Sequence, residues 1–129
     1  NRKVYMKTIF IILILSLSIL SIAKQAQANE LIIDKEKLAD AIYLAEGGSK
    51  TNHPYGILKK YKVTTPRQAC INTINTNLKK WHKQGRTGNA NDFIAFMGTS
   101  YAPIGAKNDP KGLNKNWVKH VTRFYNRGK

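Results

Sequence analysis

Asp34-Lys-Glu-Lys-Leu38-Ala-Asp-Ala-Ile42-Tyr-Leu-Ala-Glu46-Gly-Gly48 is the segment on which the architecture of this chain turns. Ile33, Asp34 and Leu38 stand where a helix start puts a hydrophobic staple and an N-cap, with the Asp34 carboxylate accepting from free backbone N–H groups. Leu38, Ile42, Ala45 and Glu46 then recur at intervals of three and four, which puts Glu46 on the apolar side of an amphipathic helix. Gly47 or Gly48 can take the left-handed conformation that ends a helix, leaving Glu46 near the negative end of the helix dipole. Desolvation and that dipole both favour the neutral acid and raise its pKa. A carboxylic acid protonated toward neutral pH is suited to general acid catalysis, for instance at the leaving oxygen of a glycosidic bond. The alternative is a partly exposed Glu at a helix end.

Downstream, the pattern predicts three more helices. Thr65 and Pro66 supply cap and first-turn chemistry, and Ile71, Ile74, Leu78 and Trp81 form the stripe of the longest helix, ending at Gly85. Phe93, Ile94, Met97 and Tyr101 predict a shorter helix starting near Asn91 or Asp92 and stopped by Pro103. Residues 102–113 carry Pro103, Gly105, Pro110 and Gly112, which predicts an ordered surface loop. Asn114 is the expected cap of a last helix that buries Trp117, Val118, Val121, Phe124 and Tyr125 and ends before Gly128. The segment 53–64 is compatible with an extended stretch, a short helix or a hairpin. The fold class is therefore mainly α, with little or no β-sheet.

Met6 and Lys7 precede an apolar run from Ile9 to Leu15 that continues to Ala23, and Ala26-Gln27-Ala28 offers a small-x-small cleavage site. This is the pattern of a cleavable secretory signal peptide. Residues 1–28 are read as that signal with a short upstream extension, and residues 29–129 as one domain; a retained N-terminal anchor is the alternative. Loss of Arg2, Lys3, Lys7 and Lys24 takes the formal charge from +15 to +11, because all seven acids stay. Such a chain is drawn to polyanions. For an exported protein, periplasmic or secreted, these are anionic cell-wall or membrane surfaces. The basic residues are spread over several segments without a readout motif, which argues against nucleic acid.

The single Cys70 permits no intrachain disulfide and falls in a helical pattern as a small buried residue. His53, His82 and His120 form no i, i+4 pair, so no metal site is expected, nor any cofactor. Asp92 reads as a helix-start residue and Asp109 as a turn residue whose carboxylate bonds the following backbone, which leaves Glu46 as the acid with chemistry to do. Trp81 and Trp117 fall on apolar stripes and are assigned to packing.

Tyr43-Leu44-Ala45-Glu46-Gly47-Gly48, followed by Tyr55-Gly56-Ile57-Leu58, resembles the Glu-Ser-Gly and Gly-Leu-Met-Gln blocks of lysozyme-like lytic transglycosylases. Tyr101-Ala102-Pro103, Asn108-Asp109-Pro110 and Asn116-Trp117-Val118 resemble the closing segment of small muramidase-type domains. Gly47 replaces the family's Ser and Lys59 its Gln, so the details of sugar contact are not carried over. The resemblance implies a compact lysozyme-like domain that cleaves the bond between N-acetylmuramic acid and N-acetylglucosamine in peptidoglycan. Glu46 would be the single acid and base. Tyr55, Gly56 and Ile57 would line the sugar cleft, and Tyr101 would hydrogen-bond Glu46 or an N-acetyl group, although Tyr55 and Tyr101 also fit core positions. Glycan strands and an anionic surface are the expected partners of a monomer. The other reading is a non-catalytic, basic protein of the same fold that binds cell wall or a secretion apparatus.

Overall fold

The computed structural model describes residues 2, 5–6, 31–58, 60, 62–107, 109 and 111–127. The expected signal segment lies almost wholly outside these residues, as do Lys59, Tyr61, Asn108, Pro110 and Gly128. Residues 1–30 and 31–129 form separate units, and the helices given below, the core and the candidate site belong to the second.

Four helices make up this unit, and no strand occurs among the described residues. Helix α1, Lys35–Ala45, starts as its sequence predicts, with Asp34 Oδ1 accepting from the Lys37 N–H at 3.0 Å. Its buried face is Leu38, Ala39, Ala41 and Ile42, and Glu46 is its C-cap. Gly47 and Gly48 both have positive φ, 104° and 57°, so the chain turns away at once.

Helix α2, Pro66–Lys83, has 18 residues; Thr65 Oγ1 caps it by accepting from the Gln68 N–H, and Pro66 fills the first turn. Cys70, Ile74, Leu78 and Trp81 are buried. The middle of this helix reads Asn72-Thr-Ile-Asn-Thr-Asn77. Asn and Thr are weak helix formers, each giving up about half a kcal/mol relative to Ala, so α2 depends on its packing.

Helix α3, Ala90–Tyr101, begins earlier than its sequence predicts. The cap is Asn89, not Asn91 or Asp92: Asn89 Oδ1 accepts from the Asn91 and Asp92 N–H groups, and Asp92 Oδ2 accepts from the Asn89 N–H at 2.8 Å. This reciprocal capping box satisfies more orphan donors than a cap at Asn91 could. Phe93, Ile94 and Met97 go fully into the core.

Helix α4, Trp117–Tyr125, also departs from expectation at its start. Asn114 does not cap it but lies inside a 3-10 turn, Leu113–Asn116, and its Nδ2 donates to the Pro103 carbonyl at 3.0 Å. The 102–113 loop is held from within by Asp109. That carboxylate, only 5% exposed, accepts from the N–H groups of Gly105 (3.3 Å), Leu113 (2.7 Å) and Asn114 (3.1 Å).

The most extensive helix pairing is α1 on α4. Two hydrogen bonds fix its antiparallel sense. The Asp34 N–H donates to the Tyr125 hydroxyl at one end, and the Trp117 indole donates to Glu46 at the other. Gly98 of α3 lets α4 approach closely, since a Cβ there would stand 2.6 Å from Val118 Cγ2. This packing brings the N-terminus of α4 and the C-terminus of α3 to the C-terminus of α1. No described helix is long and apolar enough to cross a membrane.

Candidate functional site around Glu46

Glu46 caps α1 with its side chain half-buried. Its Oε1 accepts from Trp117 Nε1 at 2.7 Å, and Oε2 has no hydrogen-bond partner among the described residues. Burial pushes the Glu46 carboxyl above the usual range, against the smaller opposing pull of the indole N–H, which favours the charged form. The indole also fixes where the acidic proton resides. An indole N–H can only donate, so it holds Oε1 as an acceptor and leaves Oε2 as the oxygen that carries the proton whenever the carboxyl is neutral.

Oε2 faces Gly56. A Cβ built on Gly56 would lie 2.7 Å from Oε2 and 2.9 Å from Cδ, so the glycine is required by contact as well as by its φ of +66°. The turn that delivers Gly56 is a 3-10 turn, Pro54–Gly56, which answers part of the ambiguity over 53–64. Its centre is strained: Tyr55 has φ 62°, the one non-glycine with positive φ among the described residues. Left-handed backbone costs an L-residue about 1–2 kcal/mol, so the surroundings must over-determine it. They do so at three points. The Tyr101 hydroxyl donates to the Tyr55 carbonyl, the Tyr43 ring packs 5.2 Å from the Tyr55 ring, and Arg67 Nη1 donates to the Tyr55 hydroxyl at 3.4 Å. Arg67 is anchored in turn by Glu36 and Asp40, at 2.7 Å and 2.6 Å.

The sequence-predicted residues thus come together with altered roles. Tyr55 is a buried residue whose turn brings Gly56 to the acid. Gly56 touches the acid. Ile57 is half-buried against the core and lines a groove of about 330 Å³ with His53, Pro54, Leu58, Lys60 and Thr64. The expectation that Tyr101 bonds Glu46 is corrected: its hydroxyl bonds the Tyr55 carbonyl. That phenol lies 3.9 Å from Cys70 Sγ, and burial raises its pKa well above the ordinary value. Its ring stacks on Trp117, the partner of Glu46, at 5.0 Å and 27°. Packing alone does not account for Trp117. It is buried, but it is also the hydrogen-bond partner of the acid. Its signal was available, because a buried Trp needs an acceptor for its N–H.

The other acids among the described residues are otherwise engaged. Asp34 and Asp92 cap helices, Glu36 and Asp40 pair with Arg67, and Asp109 is surrounded by backbone N–H groups. Cys70 is buried and its thiol is pushed up to about 11 by desolvation, which suits a packing residue and not a nucleophile. No cluster of His, Cys, Asp and Glu fit for a metal occurs among the described residues.

The site therefore offers one half-buried carboxyl with a raised pKa, one oxygen bonded to Trp117 and the other beside a glycine backbone. Comparisons of the chain with protein-family models, curated proteins and solved structures return no match.

Proposed function

We propose that the chain is an exported, lysozyme-like glycosidase that cleaves the bond between N-acetylmuramic acid and N-acetylglucosamine in peptidoglycan, as a lytic transglycosylase with Glu46 as its single acid and base. The observation that carries this reading is the Glu46 carboxyl, desolvated at a helix end, bonded to Trp117 through Oε1 and left with Oε2 beside Gly56. In the reaction Oε2 gives its proton to the glycosidic oxygen as the bond to the anomeric carbon breaks. The carboxylate so formed keeps the Trp117 N–H on Oε1, which supports its negative charge and leaves Oε2 free to act as base. It then takes a proton from a hydroxyl of the muramoyl residue, whose oxygen closes on the anomeric carbon to give an anhydro sugar.

A hydrolytic outcome would need a second carboxylate or an activated water. The engagement of Asp92 and Asp109 in backbone hydrogen bonds favours the one-acid route. The strongly basic composition supports attraction to an anionic wall or membrane surface.

Digestion of purified peptidoglycan by the wild-type chain and by Glu46→Gln, with the soluble fragments read by mass spectrometry, tests the proposal. Anhydro-ended muropeptides from wild type alone are expected. Water-added ends would replace the transglycosylase by a hydrolase. No release from walls that a known muramidase digests would overturn cleavage and leave the wall-binding alternative.

A further inference from the structure

After Asp92 the chain carries a single acid, Asp109, against Lys107, Lys111, Lys115, Lys119, Arg123 and Arg127 at every fourth position. That acid is withdrawn from the surface, because its carboxylate is 5% exposed and accepts from three backbone N–H groups. The six cations are exposed, and none of them is ion-paired among the described residues. The loop and α4 therefore present positive charge with no exposed carboxylate of their own. The acids on the helices packed against α4 are committed elsewhere: Asp34 and Asp92 cap helices, Glu36 and Asp40 hold Arg67, and Glu46 bonds Trp117.

Two large apolar side chains stand in this field that the core does not take. Ile104 is 70% exposed and Leu113 is 61% exposed. The runs of chain that carry them are laced together at two points. The Asp109 carboxylate accepts from the Gly105 and Leu113 N–H groups at once, and Asn114 Nδ2 donates to the Pro103 carbonyl. A single exposed apolar residue needs no explanation, but a pair held on a braced loop among lysines marks an interaction surface. Ile104 and Lys115 also line, with Ala95, Ala102, Pro103 and Val118, a mainly apolar groove of about 300 Å³ between α3 and α4.

The two features together choose the partner. An anionic wall polymer would pair with the lysines yet leave Ile104 and Leu113 in water. A neutral glycan would satisfy neither feature. The boundary of an anionic bilayer satisfies both, because lysine heads meet headgroup phosphates while apolar side chains pass below them into the acyl region.

We propose that the 102–113 loop and the start of α4 form a docking surface for an anionic lipid bilayer, with Ile104 and Leu113 inserted below the headgroups and Lys107, Lys111, Lys115 and Lys119 paired to their phosphates. This narrows the attraction to anionic surfaces to one face and one partner, and it stands whether or not Glu46 cleaves glycan. The test uses the full chain with an environment-sensitive fluorophore on Leu113→Cys; Cys70 is buried, which leaves the label to position 113. A second variant, Lys83→Cys, carries the label at an exposed position of α2, a helix that does not pack on α4. Each is mixed with vesicles of phosphatidylcholine, alone or with an equal part of phosphatidylglycerol, that contain lipid with a nitroxide on its acyl chain. Quenching is expected at position 113 on the anionic vesicles, with little on the neutral ones and none at position 83. Ile104→Ser, or Lys111→Gln with Lys115→Gln, should remove most of that quenching without changing the melting temperature. The readout is insertion at one position, so binding through the apolar run 9–23 does not imitate it. An unquenched label at 113 on anionic vesicles overturns the proposal, as does equal quenching on neutral vesicles or at position 83. Capture of the chain by an anionic polysaccharide, with no quenching by lipid, also overturns it and assigns the lysines to a wall polymer.

Discussion

Replacing Gly56 by Ala puts the contact between the turn and the acid under direct stress. The added methyl would stand 2.7 Å from Glu46 Oε2, 2.9 Å from Cδ and 3.3 Å from Oε1, whereas ordinary contact begins near 3.4 Å. The carboxylate must retreat by several tenths of an ångström, and its bond to Trp117 must bend. Ala at a φ of +66° also carries backbone strain. Gly85→Ala separates the two effects, because Gly85 has φ +62° and nothing within 4 Å of its would-be Cβ. The control should lose about 1 kcal/mol from strain, or about 4–8 °C in Tm for a domain of this size. Gly56→Ala should add about 1–3 kcal/mol of overpacking. Circular-dichroism melts of Gly56→Ala, Gly85→Ala, Glu46→Ala and the Glu46→Ala/Gly56→Ala double variant complete a cycle. The double variant should lose less than the sum of its parts, since the clashing carboxylate is gone. A Gly56→Ala cost no larger than that of Gly85→Ala, or a cycle additive within about 0.5 kcal/mol, would mean that Gly56 does not press on the acid.

Trp117→Phe removes the donor that favours ionised Glu46, so the carboxyl pKa rises further and the alkaline fall of wall-cleaving activity shifts to higher pH; a pH–rate profile reads it. Glu46→Gln should be more stable than wild type near neutral pH. The raised pKa means that the ionised carboxylate costs stability as pH climbs from 4.5 through the folded value, so the advantage should vanish below 4.5 in paired melts. Asp109→Ala strips the acceptor from three backbone N–H groups and should lose about 3 kcal/mol by denaturant titration, while the Glu46 pKa stays where it was.

Much of the fold was legible because short-range chemistry set it. Asp34, the Thr65-Pro66 pair, Gly47 and Gly85 each mark an end through their own side chain or their own φ, and the structure uses them as read. Where two polar residues competed, the sequence alone could not choose. Asn89 took the cap with Asp92 as its capping-box partner, which moved the helix start ahead of Asn91, and Asn114 bonds the Pro103 carbonyl in place of capping its helix.

The site was legible at Glu46 and Gly56 and less so elsewhere, since its other features arise from contacts distant in sequence. The Trp117 bond to Glu46 spans 71 positions, and the Tyr101 bond to the Tyr55 carbonyl spans 46. Neither can be read before α1 and α4 are known to pack antiparallel. The left-handed backbone of Tyr55 had no local signal at all, because it is imposed by Tyr101, Tyr43 and Arg67.

The proposed cleavage depends on the fold holding Glu46 as a proton donor, and a carboxyl ¹³C titration of Glu-labelled protein reads that property at the atom concerned. The chain has only Glu30, Glu36 and Glu46, and Glu46→Gln identifies the signal by its loss. A Glu46 midpoint above 4.5, moving higher in Trp117→Phe, is the expected result. A midpoint at or below 4.5 would contradict it, since Glu46 would then be an ordinary carboxylate at a helix end.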